Sequence, residues 1–204
     1  MKINERTYLK KEVIAFSKTT GEFGGLSNMA AGYSLFVNEI NIANTEILYQ
    51  ACRFPLFPKI QEELILQSNP MEAKAISRKY AQYTRQDWEL VKFDVMRWCL
   101  QVKLLQNLEH FSELLVRTQN SPIVEFSMKD AVWGAVPDGK DCLKGKNALG
   151  RLLMELRELY LKKSFDTDTV QSLNIPAFLL FNIPINKVHK PEFVISDLDE
   201  IYAY

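Results

Sequence analysis

Residues 85–107 carry the longest run of helical periodicity in the chain, and this run limits the folds that the sequence can adopt. The segment is "RQDWELVKFDVMRWCLQVKLLQN". Its large apolar residues recur three or four positions apart, at Trp88, Val91, Val95, Trp98, Val102 and Leu105. That spacing places them on one face of an α-helix, so the sequence predicts a long helix with one apolar side.

The composition supports a globular domain with a core. The 204 residues suit one domain, and 47% hydrophobic with 11% aromatic residues are enough to build its interior. Basic and acidic residues number 25 each, so the net charge predicts neither a nucleic-acid coat nor a membrane-surface protein. Three separated cysteines and a polar N-terminus favour a reduced, cytoplasmic protein, and no segment is as long as a membrane span.

Shorter patterns surround the long helix. Further helices are predicted over 45–57, 68–81, 110–118 and 147–163. Asn44 and either Ser68 or Asn69 are the expected N-terminal caps of the first two. Strands are predicted over 12–18 and 123–127, and a hairpin over 33–43. We therefore expect a mainly α fold with a small β element, in the α+β class.

Residues 164–204 have a different character. They hold three prolines, short apolar runs and the acidic end "SDLDEIYAY". We expect a domain over 1–163 and a C-terminal extension over 164–204. The extension either packs on the domain or contacts a partner.

All eight glycines lie in two short regions, 21–32 and 134–150. Glycine lets the backbone adopt positive φ and approach a ligand closely. The two regions are therefore either ordinary tight loops or two walls of a pocket on a helical frame.

Polar side chains lie near both glycine regions. Glu46, Tyr49, Gln50 and Arg53 share one helix face by their spacing, which makes that face either solvated surface or a catalytic wall. The second region brings Glu125, Asp130, Trp133, Lys146 and Asn147 together.

Trp133 suits a base-stacking role or a core position. Lys103 borders the apolar stripe of the long helix, where lysine usually extends its amine to water. If desolvated, that amine would be a nucleophile. The two histidines have no partners at zinc-ligand spacing, and no cofactor is expected.

In their order along the chain, several segments resemble the NADAR superfamily, the YbiA-like N-glycosidases. The resemblance runs from about Phe16 to Arg157. Its segments are "FSKTTGEFGGLSN", "TEILYQACRF", "NPMEAKAISR", "DWELVKFDVMRWCLQVKLLQN", "LLVRT", "IVEFSMKDAVWG" and "GKNALGRLLMELR". It implies the YbiA-like fold, and it implies that the first glycine loop helps to form the substrate pocket.

The family is associated with ADP-ribose-like ligands and with hydrolysis of N-glycosidic bonds. One branch acts on ribosylamine-phosphate intermediates of riboflavin synthesis. Another removes ADP-ribose from the exocyclic amine of guanine in DNA, as the antitoxin of a DNA ADP-ribosyltransferase toxin.

The sequence departs from the riboflavin branch at Ile47, where that branch typically has histidine, and at Ala135, where it tends to have an acidic residue. The segments "GGLSNMAAG", "YQACRFP" and "MRWCLQVKLLQN" are more similar to the toxin-associated branch. We therefore expect guanine de-ADP-ribosylation. ADP-ribosylated DNA or an ADP-ribose-like small molecule is the expected ligand, and a cognate toxin is a candidate partner. No membrane is expected as a partner. A riboflavin-type N-glycosidase and a non-catalytic ADP-ribose-binding module are the alternatives.

We assign Glu46 as the acid/base, Lys103 as a covalent or electrostatic residue, and Asp130 as the group that orients the ribose or relays a proton. Hydrolysis then proceeds either through water activated by Glu46 or through a Schiff base on Lys103. The expected substrate-binding residues are Gly25, Ser27, Asn28, Tyr49, Gln50, Glu125, Trp133, Gly134, Lys146 and Asn147.

Overall fold

The computed structural model describes residues 4–191, which contain six α-helices. They are α1 (Thr45–Ala51), α2 (Pro58–Ile65), α3 (Pro70–Lys79), α4 (Trp88–Gln106), α5 (Leu108–Arg117) and α6 (Ala148–Leu161). None of these helices is long and apolar enough to cross a membrane.

The expected start signals are present at α1 and α3. The Asn44 side chain accepts a hydrogen bond from Ile47 N at 3.1 Å, and Asn69 accepts one from Met71 N at 3.0 Å. The helix predicted over 45–57 is shorter, however, and ends at Ala51, because Pro55 cannot donate the backbone hydrogen bond of a helix interior. A separate helix, α2, therefore begins at Pro58.

The β structure consists of short strands in small sheets. The strands are β1 (Arg6–Leu9), β2 (Ile14–Phe16), β3 (Leu35–Val37), β4 (Ile40–Ile42), β5 (Ile123–Glu125), β6 (Val136–Asp138), β7 (Cys142–Gly145), β8 (Thr169–Val170), β9 (Leu179–Leu180), β10 (Ile183–Pro184) and β11 (Val188–His189). β1, β7 and β6 form an antiparallel sheet in that order, and β2 pairs with β5 in parallel. β3–β4, β8–β11 and β9–β10 are antiparallel pairs.

The predicted hairpin is confirmed as β3–β4. Its turn residues Asn38 and Glu39 both have positive φ, 49° and 63°. That conformation matches the right-handed twist of the two strands, and asparagine tolerates it well. The sheet of β1, β6 and β7 was not predicted.

The core is built around α4. The predicted apolar face is confirmed: Val95, Trp98, Val102 and Leu105 are all buried there. α4 packs against α1, α5 and α6. The mainly α, α+β class is therefore confirmed.

Residues 164–191 lie against the helical domain. Val170, Phe178, Leu180, Ile185 and Val188 are buried members of the same hydrophobic core. In addition, Trp98 Nε1 donates to Gln171 O at 3.1 Å. Residues 192–204 of the expected extension lie outside the described residues.

Candidate active site

One cavity of about 430 Å³ opens between α1, α3, α4 and the segment that follows β5. This volume is within the range of small-molecule sites. Its wall consists of Ser27, Asn28, Met29, Glu46, Tyr49, Gln50, Arg53, Lys74, Arg78, Trp88, Glu89, Lys92, Met96, Glu125, Phe126, Ser127, Asp130, Trp133 and Leu149. A larger groove of about 710 Å³ lies beside the β3–β4 hairpin, but none of the expected site residues is in its wall.

Glu46 lies in the first turn of α1 and its side chain is only 7% exposed. Its backbone N donates to Asn28 O at 3.0 Å, which joins α1 to the first glycine loop. Its Oε1 accepts from Gln50 Nε2 at 2.8 Å, and Lys74 Nζ is 3.8 Å away. An amide donor and an ammonium group thus lie on one side of this carboxylate, at its Oε1.

The polar face predicted for α1 is present in the cavity wall. Arg53 Nη1 donates to Gln50 Oε1 at 3.1 Å and to Ser77 Oγ at 2.7 Å, while Nη2 donates to Thr84 Oγ1 at 3.1 Å. Arg53 therefore connects α1, α3 and the segment before α4 through neutral oxygen atoms. Burial lowers the pKa of its guanidinium, against the raising effect of Tyr49 and Glu46.

Glu125 is the last residue of β5 and contributes a second carboxyl group to the cavity. Burial, and then the nearby carboxylates of Glu46 and Asp130, raise its pKa from 4.5 to about 7, while Lys74 acts in the other direction. Near neutral pH this carboxyl group therefore holds a proton about half of the time.

Asp130 shapes the loop as well as facing the cavity. Its Oδ1 accepts hydrogen bonds from the backbone N of Val132 at 2.9 Å and of Trp133 at 2.8 Å. Its own backbone N donates to Ser127 Oγ at 2.9 Å. This arrangement fixes the turn that carries Trp133 into the wall.

Aromatic rings cover another part of the wall. The Tyr49 ring lies 5.0 Å from that of Trp88 and 5.5 Å from that of Trp133, measured between centroids. Trp133 also meets Phe93 edge-on at 5.2 Å. Burial and the neighbouring Glu46 raise the pKa of Tyr49 well above its ordinary value, so its hydroxyl stays protonated and can donate.

Lys103 does not face the cavity. Its side chain is fully buried in α4, and Nζ donates to the carbonyl oxygens of Gly25 at 2.5 Å and Ser27 at 3.0 Å. The ammonium group lies 4.2 Å from the ring centroids of both Tyr33 and Phe111. Burial lowers the pKa of Lys103 well below its ordinary value. The amine supports the first glycine loop from the core side.

Eight of the thirteen expected site residues share the cavity wall: Ser27, Asn28, Glu46, Tyr49, Gln50, Glu125, Asp130 and Trp133. Five lie outside it: Gly25, Lys103, Gly134, Lys146 and Asn147. Gly25 and Gly134 lie in the backbone of the two loops. Lys146 is half-buried, and its backbone N donates to Ala131 O at 2.7 Å.

Asn147 has a structural position. It precedes α6 with φ 49°, and its side chain does not cap that helix. Instead, Nδ2 donates to Ile123 O at 2.8 Å and Oδ1 accepts from Glu125 N at 3.1 Å. The buried amide thus fixes β5, and with it Glu125, to the start of α6.

The sequence interpretation missed a basic part of the wall on α3. Lys74 and Arg78 are four residues apart, a spacing that places them on one helix face, but nothing local shows that this face meets α1. It also missed the wall positions of Glu89, Lys92 and Met96 on α4. Within residues 4–191, no group of three or more His, Cys, Asp or Glu side chains is arranged to hold a metal ion.

The chain is similar to known proteins over most of its length. The family model described as "NADAR domain" matches residues 15–160. The N-glycosidase YbiA of Escherichia coli strain K12 is 38% identical over 150 residues, which are 74% of this chain and 89% of that protein. The riboflavin biosynthesis protein VVA0006 of Vibrio vulnificus is 33% identical over 153 residues, 75% of this chain and 40% of that protein.

A solved structure is also similar. The NMR structure of the E. coli protein YbiA superposes with a TM-score of 0.65 at 36% sequence identity. The superposition covers 78% of this chain and 90% of that one.

Proposed function

The chain belongs to the NADAR domain family, and we propose that it is an N-glycosidase that removes ADP-ribose from the exocyclic amine of guanine in DNA. The observation that carries hydrolysis is the position of Glu46. Its carboxylate is buried in the wall of a substrate-sized cavity and accepts a hydrogen bond from Gln50. A carboxylate held in this way is suited to accept a proton from an attacking water.

The bond to be broken joins the anomeric carbon of a ribose to an exocyclic nitrogen. As that bond lengthens, positive charge develops on the anomeric carbon and the ring oxygen. Glu46 stabilises this charge and removes a proton from the incoming water. The oxygen of the water then bonds to the anomeric carbon. The carbon–nitrogen bond breaks with its electron pair on nitrogen, which takes up a proton and departs as the amine.

A Schiff base on Lys103 is the second route. The Lys103 amine donates to the carbonyls of Gly25 and Ser27 and is 0% exposed. It would have to leave both carbonyls before it could reach a sugar in the cavity. These contacts support the water route and give Lys103 the role of holding the loop that bears Ser27 and Asn28.

The wall supplies groups suited to each part of an ADP-ribosyl ligand. The aromatic group of Tyr49, Trp88 and Trp133 offers surfaces against which a base can pack. Lys74 and Arg78 on α3 offer positive charge for phosphates.

The choice of guanine in DNA rests on the sequence resemblance. The segments "GGLSNMAAG", "YQACRFP" and "MRWCLQVKLLQN" favour the toxin-associated branch. The two departures from the riboflavin branch, Ile47 and Ala135, are fully buried and lie outside the cavity wall. In this setting the protein would act as the antitoxin of a DNA ADP-ribosyltransferase.

An N-glycosidase of riboflavin biosynthesis is the second candidate. The names of two relatives favour it: the V. vulnificus protein, and a riboflavin biosynthesis protein of Zea mays that is 34% identical over 159 residues. Its ribosylamine-phosphate substrate has the same type of bond, between an anomeric carbon and an exocyclic nitrogen, so the same carboxylate chemistry applies.

The test is a cleavage assay with three substrates. They are a DNA oligonucleotide that carries ADP-ribose on the guanine amine, one that carries it on thymine, and the ribosylamine-phosphate intermediate of riboflavin synthesis. Glu46→Gln is assayed beside the wild type, and Glu113→Gln, exposed on α5, is the matched control.

Release of ADP-ribose from guanine alone, lost in Glu46→Gln and kept in Glu113→Gln, supports the proposal. Turnover of the riboflavin intermediate alone replaces it with the second candidate. Tight ADP-ribose binding without turnover of any substrate identifies a binding module instead. Full activity of a folded Glu46→Gln protein overturns the assignment of Glu46.

A further inference from the structure

Hydrogen bonds fix the backbone of Glu125, while its side chain has no hydrogen-bond partner within residues 4–191. Its N donates to Asn147 Oδ1 at 3.1 Å, its O accepts from Ala135 N at 2.8 Å, and the next residue, Phe126, donates to Phe16 O at 2.8 Å. Its carboxyl group makes no hydrogen bond to any residue between 4 and 191, although it faces the cavity. The fold thus fixes the backbone of Glu125 and leaves its carboxyl oxygen atoms available to a ligand in the cavity.

The charges around this carboxyl group come from three directions. Glu46 on α1 and Asp130 on the following loop repel its negative form, and Lys74 on α3 attracts it. β2 and α6, which also pack on β5, supply none of the charges that shift its pKa. Burial has the largest effect, and the sum favours the protonated form.

Glu46 is in a contrasting environment in the same cavity. It accepts from Gln50 Nε2 and has Lys74 Nζ at 3.8 Å, contacts that suit a carboxylate. The two carboxyl groups of the cavity therefore differ in their surroundings: Glu46 accepts a hydrogen bond, whereas Glu125 accepts none from residues 4–191 and burial raises its pKa to about 7. Two carboxyl groups in different environments are the arrangement by which proteins divide base and acid roles.

We propose that Glu125 is the general acid of the reaction and donates its proton to the departing amine. This inference rests on the proposed N-glycosidase function and adds the partner that Glu46 requires. The carbon–nitrogen bond breaks, its electron pair stays on nitrogen, and the Glu125 proton bonds to that nitrogen. Water adds to the anomeric carbon and gives its proton to Glu46. Solvent then returns a proton to Glu125 and removes one from Glu46.

The leaving group provides the sharpest test. An amine needs a proton in order to depart, whereas p-nitrophenolate does not. Wild type, Glu125→Gln and Glu46→Gln are assayed on the guanine-linked ADP-ribose oligonucleotide and on a p-nitrophenyl ADP-riboside, from pH 5 to pH 9. Glu113→Gln is the exposed control.

We expect Glu125→Gln to lose about 100-fold or more in kcat/KM on the guanine-linked substrate near pH 6, the usual effect of removing a general acid. On the nitrophenyl riboside it should stay within about 10-fold of wild type. Glu46→Gln should lose activity on both. The wild-type kcat/KM for the guanine-linked substrate should fall above about pH 7, and Glu125→Gln should lack that decline.

Calorimetric binding of ADP-ribose shows whether the variants keep the folded site. Equal losses of Glu125→Gln on both substrates, with ADP-ribose binding unchanged, overturn the assignment. So does a decline above pH 7 that persists in the variant. If the wild type cleaves only the riboflavin-type amine, the guanine substrate is refuted, but the role of Glu125 is not. The same comparison, made with that amine and a p-nitrophenyl riboside phosphate, then decides the role of Glu125.

Discussion

The side chain of Gln50 donates from Nε2 to Oε1 of Glu46 at 2.8 Å, one helical turn earlier on α1. Arg53 sets the direction of this amide, because its Nη1 donates to Gln50 Oε1 at 3.1 Å and so occupies the oxygen end. Arg53, which follows α1, and Gln50 on α1 thus form a chain of hydrogen bonds that holds the proposed base in one orientation.

Replacement of Gln50 by leucine should therefore impair catalysis more than folding. Loss of a hydrogen bond to a charged group is worth about 10-fold in rate, so we expect kcat to fall by about that factor. Steady-state kinetics on the cleaved substrate measures this, and Gln82→Leu, at an exposed position before α4, is the control. An unchanged kcat would show that Gln50 does not orient Glu46.

Replacement of Lys103 by methionine should destabilise the protein. We expect no covalent intermediate on Lys103 in the wild-type reaction. The carbonyls of Gly25 and Ser27 would lose their donor while buried, at a cost of about 2 kcal/mol in the free energy of unfolding. Urea unfolding measures this against Lys129→Met, an exposed control. Borohydride treatment of wild type during turnover should trap no sugar on Lys103, and an adduct there would establish the Schiff-base route.

The local parts of this site follow from the sequence, and the parts that depend on packing do not. Asn44 as a cap and the shared face of Glu46 and Gln50 depend on positions a few residues apart, which helix geometry fixes. The burial of Lys103 beneath the Gly25 carbonyl joins residues 78 positions apart. Its spacing indicated an edge of the apolar stripe but not which backbone atoms would meet the amine.

Asn147 is a second residue whose contacts depend on packing and do not follow from the local sequence. Asparagine directly before a helix is typical of a capping residue, yet the amide of Asn147 bonds to β5 instead. The partner strand is about 22 residues earlier in the chain, as the contact to Glu125 shows. Only the packing of α6 on β5 reveals that Asn147 positions Glu125 rather than a ligand.

Glu125 should make the stability of the protein depend on pH. Its folded pKa of about 7 lies above the ordinary 4.5, so the folded state holds the proton more tightly. The associated stability is complete below pH 4.5 and is lost as pH rises through 7. Glutamine cannot ionise, so the variant does not have this loss. The free energy of unfolding of Glu125→Gln should therefore rise relative to wild type by about 2 kcal/mol from pH 5 to pH 8. Denaturant unfolding of both proteins at pH 5 and at pH 8 checks this. A difference in unfolding free energy that is the same at both pH values would contradict it.

Gly134→Ala should disturb both carboxyl-bearing segments of the second loop. A Cβ there would lie 2.4 Å from Glu125 O and 3.3 Å from Asp130 O, and backbone atoms cannot move aside as a flexible side chain does. We expect a loss of about 2 kcal/mol in stability, with lower activity in the protein that remains folded. Gly21→Ala, where the nearest atom is 3.9 Å away, is the control and should be nearly neutral. Thermal unfolding and kcat/KM together measure both effects.

Arg78 should contribute to the binding of the phosphates. Its guanidinium lines the cavity and has no hydrogen bond or ion pair with any residue that the structure describes, so it is free to meet an anion. The adjacent Lys79 lies outside the cavity wall and pairs with Glu63 Oε1 at 3.2 Å, which makes Lys79→Ala a control of equal charge. We expect Arg78→Ala to weaken ADP-ribose binding by about 10-fold, a typical value for a charged hydrogen bond to phosphate. The loss should be smaller for ribose 5-phosphate, which has one phosphate fewer, and should shrink at high salt. Calorimetric titrations of ADP-ribose into both variants at two salt concentrations test this prediction. Equal affinities of Arg78→Ala and Lys79→Ala would place the phosphates away from α3.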